Sequence, residues 1–232
     1  MSASASAPGL LFLSSGGDSA DSVTREVTDL VGKQFYSLSF HEGGVLATCS
    51  DGVYEVSQAG ANRLCVADYP CISAGHRFFV AADREGQLHS WGEGVNGQLG
   101  HGACHTSIPE PARITHSAHF VSVASGGAFS LALDDSGAAY AWGENFDREL
   151  GLYTKSRAQL GAMHVPNALV EDLIFAPRLL PLSISCPIAT IACGLRFSMA
   201  VTRTGQLYSW GAGESGQLGT GRVTCREVPA PV

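Results

Sequence analysis

Positive charge is scarce in this chain. Lysine occurs only at Lys33 and Lys155, no run of Lys and Arg appears, and the formal net charge is −7. A surface that holds phosphate backbones needs clustered cations, so direct nucleic-acid binding is not expected. Charged residues of either sign reach only 15%, whereas Gly 28 and Pro 10 interrupt the chain at short intervals. That balance disfavours a helical protein and favours strands and turns. Long apolar runs are absent too. The stretch "LLFL" near the start is too short for a signal core or a membrane span, and no Asn begins a glycosylation sequon. The seven cysteines are irregularly spaced and include no C-x-x-C pair, which speaks against a disulfide framework and against a Cys-rich zinc site. A reducing compartment, cytoplasmic or nuclear, is the expectation. No G-x-S-x-G, Walker lysine loop or H-E-x-x-H occurs either, so the sequence offers no catalytic residues for hydrolase or NTPase chemistry.

What the chain does have is a repeat. Three segments align without a gap: "SAGHRFFVAADREGQLHSWGEGVNGQLGHG" from Ser73, "ASGGAFSLALDDSGAAYAWGENFDRELGLY" from Ala124, and "ACGLRFSMAVTRTGQLYSWGAGESGQLGTG" from Ala192. Trp91, Trp142 and Trp210 share one column and are the only tryptophans. Gly75, Gly126 and Gly194 share another, as do Gly92, Gly143 and Gly211, and Gly100, Gly151 and Gly219. Within each copy the apolar pattern has strand period: Phe129, Leu131 and Leu133 alternate with Ser130 and Ala132, and Phe197, Met199 and Val201 with Ser198 and Ala200. One face is large and the other small, which suits a sheet covered on both sides. A turn centred on Gly86, Gly137 or Gly205 then leads to a second strand ending in the tryptophan, giving a hairpin per copy. A degenerate copy, "LSFHEGGVLATCSDGVYEV", precedes the three and has Val56 in the tryptophan column.

The spacing of Gly92, Gly94 and Gly97 matches a dinucleotide fingerprint, but that motif must open a helix. Here the chain continues "QLGHGACHTSIPEP", rich in Gly and Pro. The second copy, "GENFDREL", keeps only the first of the three glycines. Turn geometry, with glycine supplying positive φ, is the better reading, and no cofactor is expected.

The "SWG-x-G-x-x-GQLG-x-G" element following "CG-x-x-x-S-x-A-V" resembles the regulator of chromosome condensation repeat. The resemblance covers about Leu38 to Val232 and implies an all-β fold, a β-propeller of four-stranded antiparallel blades. About four blade equivalents are present, which by that resemblance reads as an incomplete propeller of about seven blades. The expected organisation is a disordered tail over residues 1–9 and a repeat domain over 10–232. Within it come a degenerate blade at 37–70, repeats from about 71, 121 and 188, and an insertion at 153–175. The family often has His where this chain has Phe78, Phe129 and Phe197.

The expected function is a non-enzymatic protein–protein interaction scaffold acting through propeller loops. The resemblance also implies an alternative, a guanine-nucleotide exchange factor for a Ran-like small GTPase. A third reading is a structural subunit of a large assembly whose open blade edges receive strands from neighbours. Candidate partner-binding residues lie in the turns after the tryptophans and in the insertion: Glu93, Asn96, Asn145, Asp147, Arg148, Glu214, Arg157 and His164. His101, Cys104, His105, His116 and His119 have spacings a zinc ion accepts. Gly102, Pro109 and Pro111 favour a solvated inter-blade loop instead, so no metal is expected. The carboxylate pairs Asp83/Glu85 and Asp134/Asp135 fall at hairpin turns, where Asp bonds its own backbone, and Glu171/Asp172 has no partner acid, base or nucleophile nearby in sequence.

Overall fold

The computed structural model describes residues 2–7, 10–14, 24–26, 33, 35–41, 44–57, 60–152, 173–180 and 186–232. Among them every regular element is a strand. Strands β1 (Ser2–Ala7), β2 (Leu10–Ser14) and β3 (Thr24–Glu26) form a three-stranded sheet. Four four-stranded antiparallel sheets follow. Blade 1 is β4 (Phe35–His41), β5 (Gly44–Cys49), β6 (Gly52–Ser57) and β7 (Gly60–Cys65). Blade 2 is β8 (Cys71–Ala74), β9 (Phe78–Ala82), β10 (Leu88–Glu93) and β11 (Ser107–Arg113). Blade 3 is β12 (Phe120–Ser125), β13 (Phe129–Asp134), β14 (Ala139–Glu144) and β15 (Leu173–Leu179). Blade 4 is β16 (Ile188–Cys193), β17 (Phe197–Thr202), β18 (Leu207–Gly211) and β19 (Arg226–Pro231). Residues 2–7, expected as part of a tail, are instead paired with β2, Ala3 opposite Leu13. Their alternating Ser and Ala carry neither charge nor proline to refuse a neighbouring strand.

The sheets stand side by side because each first strand packs on the next. β8 lies between β4 and β12, and β12 packs on β16. Side chains stitch these strands together: Ala74 N donates to Ser39 Oγ at 2.8 Å, Ser125 N to Ser73 Oγ at 2.9 Å, and the Cys193 thiol to Ala124 O at 3.6 Å. The two faces of blades 3 and 4 are unlike, as the alternation requires. Ser130 and Ser198 turn toward the preceding blade, donating to Gln98 O at 3.5 Å and Glu149 O at 2.6 Å. Phe129, Leu131 and Leu133, on the opposite face of β13, are buried in the cluster that joins blades 2, 3 and 4.

The tryptophans sit where the third strand of a blade bulges. In all three copies the register shifts between the residue before the tryptophan and the glycine after it. Those glycines, Gly92, Gly143 and Gly211, have φ of 101°, 105° and 98°, a region closed to most side chains. The bulge throws the indole onto the preceding blade. Trp142 Nε1 donates to Gln98 O at 2.8 Å, inside the Gly-Gln-Leu-Gly turn of blade 2. Blade 1 lacks that turn, and Trp91 instead stacks on Tyr69 of the blade 1–blade 2 connection, with centroids 6.1 Å apart, and lies 5.3 Å from Phe79.

Candidate functional site

Each blade meander sends two sets of loops to opposite faces. One face carries the loop before the second strand (75–77, 126–128, 194–196) and the turn after the tryptophan (94–106, 145–152, 212–225). The other carries the hairpin turns at 83–87, 135–138 and 203–206, together with the inter-blade connections.

The first face is knitted laterally. His76 N donates to Gly127 O at 3.0 Å and Gly127 N to Leu195 O at 2.9 Å, so three loops from three blades run in contact. Beside them each post-tryptophan segment makes two consecutive turns, Gly97 N to Gly94 O then Gly100 N to Gly97 O, repeated at Arg148 and Gly151 and at Gly216 and Gly219. A side chain from within the turn braces it: Asn96 N donates to Gln98 Oε1 at 2.8 Å, Asp147 N to Glu149 Oε2 at 2.8 Å, and Ser215 N to Gln217 Oε1 at 2.9 Å. Blade 3 thus has a carboxyl where its neighbours have an amide. It also has Arg148, at φ 65°, where they have Gly97 and Gly216.

Between these loops lies an open recess of about 380 Å³, lined by His76, Glu93, Val95, Asn96, Gln98, Gly127, Ala128, Glu144, Glu149, Leu195 and Arg196. Its floor is polar: Asn96 Nδ2 donates to Glu144 Oε2 at 2.9 Å across the blade 2–blade 3 boundary. Burial pushes the Glu144 carboxyl up, helped by Asp147 and opposed by Arg196. Glu149 is only 1% exposed, and burial, reinforced by Asp147 and Glu144, lifts its carboxyl to about 8. At neutral pH it therefore keeps its proton. Salt bridges flank the recess, Arg77 to Glu93 and Arg196 to Asp147, both at 2.9 Å. Its rim is apolar: Val95 is 48% and Leu195 68% exposed, and Phe146 projects from the adjoining turn at 47%.

The candidate residues fare unequally. Glu93 and Asn96 line the recess, and Asp147 stands beside it. Glu214 is exposed on the equivalent turn of blade 4, and Arg148 is half-buried. Asn145 is a correction. It is fully buried, accepting from Leu150 N at 3.0 Å and donating to Leu152 O at 3.4 Å, because it occupies a turn position where the other copies have glycine and its amide fills that space. Arg157 and His164 lie outside the described residues, as does the insertion up to residue 172. Glu144, Glu149, Leu195 and Arg196 were not among the candidates. The signal for Glu149 was its column, Gln-Glu-Gln down the three copies. The histidines divide: His101 and His105 meet edge-on at 5.7 Å near the turn face, whereas His116 packs on Phe120 and Tyr140, and His119 covers Gly86 on the other face. The hairpin aspartates behave as turn residues, Asp83 accepting from Gln87 N and Asp134 from Ala138 N, each at 2.8 Å.

The sequence profile of the regulator of chromosome condensation (RCC1) repeat matches residues 85–133, 136–201 and 204–232. The chain belongs to the RCC1 repeat family. RCC1 domain-containing protein 1 of Mus musculus is 34% identical over 182 residues, covering 69% of this chain and 48% of that protein. The E3 ubiquitin-protein ligase HERC2 of Mus musculus is 33% identical over 165 residues, 69% of this chain and 3% of that protein. The chain thus spans half or less of the length of these relatives. Among solved structures, Prp20p of Saccharomyces cerevisiae, studied for its binding to Gsp1p and histones, superposes with a TM-score of 0.78 at 19% identity over 97% of this chain and 59% of that one. The RCC1-type propeller fold follows, and the bulged tryptophans and braced turns are this chain's version of it. No helix among the described residues is long and apolar enough to cross a membrane.

Proposed function

We propose that this RCC1-repeat chain is a non-enzymatic scaffold that binds another protein through its turn face, in the cytosol or nucleus. The observation that supports it is the recess between blades 2, 3 and 4, polar on its floor and ringed by Val95, Phe146 and Leu195. Apolar residues held out to solvent on rigid, hydrogen-bonded loops cost little ordering on binding, and a rim of ion pairs supplies orientation. Glu149, buried beside the recess, braces its turn by accepting from Asp147 N.

The test compares proximity-labelled partners of the intact chain with those of Leu195→Arg and Phe146→Arg. Loss of specific partners in both variants is expected, while Arg84→Ala, on the opposite face, retains them. A partner set unchanged by the turn-face variants refutes the assignment of the face. Acceleration of nucleotide release from any member of a small-GTPase panel refutes the non-enzymatic part.

A further inference from the structure

The recess on the turn face is walled on all sides by residues of blades 2, 3 and 4 and their turns. Its carboxyls are unequally provided for. Glu93 pairs with Arg77, and Asp147, at the edge, with Arg196. Glu144 makes no ion pair among the described residues, and its one hydrogen bond there is the one that Asn96 Nδ2 donates to Oε2. Glu144 Oε1 and Asn96 Oδ1 are thus two neighbouring acceptors without a protein donor among the described residues. Burial already raises the Glu144 carboxyl. A partner lying on Val95, Phe146 and Leu195 would remove it further from solvent, and a wholly apolar cover would strand it.

We propose that the recess receives an arginine side chain of the partner, its guanidinium paired with Glu144 while apolar partner residues cover Val95, Phe146 and Leu195. This rests on the turn face being the partner-binding face, and it names the chemistry that face selects. At about 380 Å³ the recess stands at the small end of ligand-sized clefts, room for one long side chain rather than a folded element. Arginine suits it better than lysine. The planar guanidinium gives a carboxylate two parallel hydrogen bonds and is less strongly hydrated than an ammonium, so burying it costs less. The net charge of −7 draws a basic partner at long range, whereas an acidic one meets Glu93, Glu144 and Asp147.

Random peptides displayed on phage and selected on the intact chain test this, with affinities then measured for the synthetic peptides. Selected peptides are expected to carry an arginine beside an aliphatic or aromatic residue. Changing that arginine to glutamine, or Glu144→Gln in the protein, should each weaken binding about tenfold or more, and both together no more than either alone. Two losses that add in full overturn the pairing. Glu144→Gln keeps an acceptor for Asn96, and circular dichroism checks its fold. If it fails to fold, a photoreactive residue next to the peptide's arginine decides on the wild type: labelling of the recess lining supports the proposal, and labelling of another surface overturns it. Peptides without arginine that are lost in Leu195→Arg overturn this inference and leave the face reading intact. Peptides that bind Leu195→Arg as well as the wild type refute the face reading itself, and failure to select any peptide overturns the arginine site.

Discussion

Replacing Glu149 with Gln should stabilise the protein, by an amount that grows with pH. The side chain is sealed between the blade 3 turn and blade 4, with burial raising its carboxyl from 4.5 to about 8. Below pH 4.5 both folded and unfolded chains hold the proton, and the group contributes no difference. Between 4.5 and about 8 the unfolded chain releases the proton while the folded one retains it. Stability is therefore lost as pH rises, levelling once both forms are ionised. At about 1.4 kcal/mol per pH unit, the penalty is roughly 3 kcal/mol at pH 7 and on the order of 5 kcal/mol above pH 8, a ceiling that any water following the ionised carboxylate lowers. Gln keeps the acceptor for Asp147 N, as Gln98 and Gln217 do in the sister turns, and has no proton to lose. Urea unfolding followed by tryptophan fluorescence from pH 4.5 to 9 measures the gap between wild type and Glu149→Gln directly, because all other titrations are shared. A gap that is flat across this range, or one that shrinks as pH rises, refutes the reasoning.

Other substitutions probe the scaffold. Trp142→Phe should lose about 1 kcal/mol or more with the bond to Gln98 O, and Trp142→Ala about 3–5 kcal/mol through the cavity it opens, both read by chemical denaturation. Gly143→Ala places a methyl 2.6 Å from Ala128 O at φ 105° and should cost roughly 1–3 kcal/mol, seen as a lower thermal midpoint. Arg77→Ala removes an exposed ion pair with Glu93 and should change stability by less than about 1 kcal/mol while altering the charge of the proposed binding face.

Much of the fold was legible because each blade repeats the same local instructions. The alternation in "FSLALD" gave strand β13 and its two unlike faces, the Asp134 and Asp83 turns gave the hairpins, and the tryptophan column marked the second strand of each hairpin. What could not be read was convergence. Asn96 and Glu144 are hydrogen-bonded though 48 residues apart, and Arg196 reaches Asp147 from the next blade over 49. Neither pairing leaves a trace in periodicity. Asn145 misled for a related reason: Asn in a turn reads as a surface residue, yet here the missing glycine of its column leaves the amide to bond the turn from inside. The strand at residues 2–7 was missed because alternating Ser and Ala carry no apolar stripe to mark a buried face.

The columns also separate what the scaffold fixes from what it leaves to vary. Glycine recurs directly after each tryptophan, and Gln or Glu recurs at the brace, because both positions answer to backbone geometry that is the same in blades 2, 3 and 4. The residue at the turn tip differs from copy to copy. It is Val95, Phe146 and Glu214 in the successive copies, half-exposed or more in each. The loop residue just after the second glycine column varies likewise, as His76, Gly127 and Leu195, while its backbone makes the lateral bonds. Side chains can therefore change at the tips without disturbing the turns beneath them. In this chain the tips of blades 2 and 3 are apolar and that of blade 4 is acidic. Under the proposed function, a partner seated on this face would meet an apolar patch bounded on one side by a carboxylate, and its footprint would be asymmetric although the scaffold repeats.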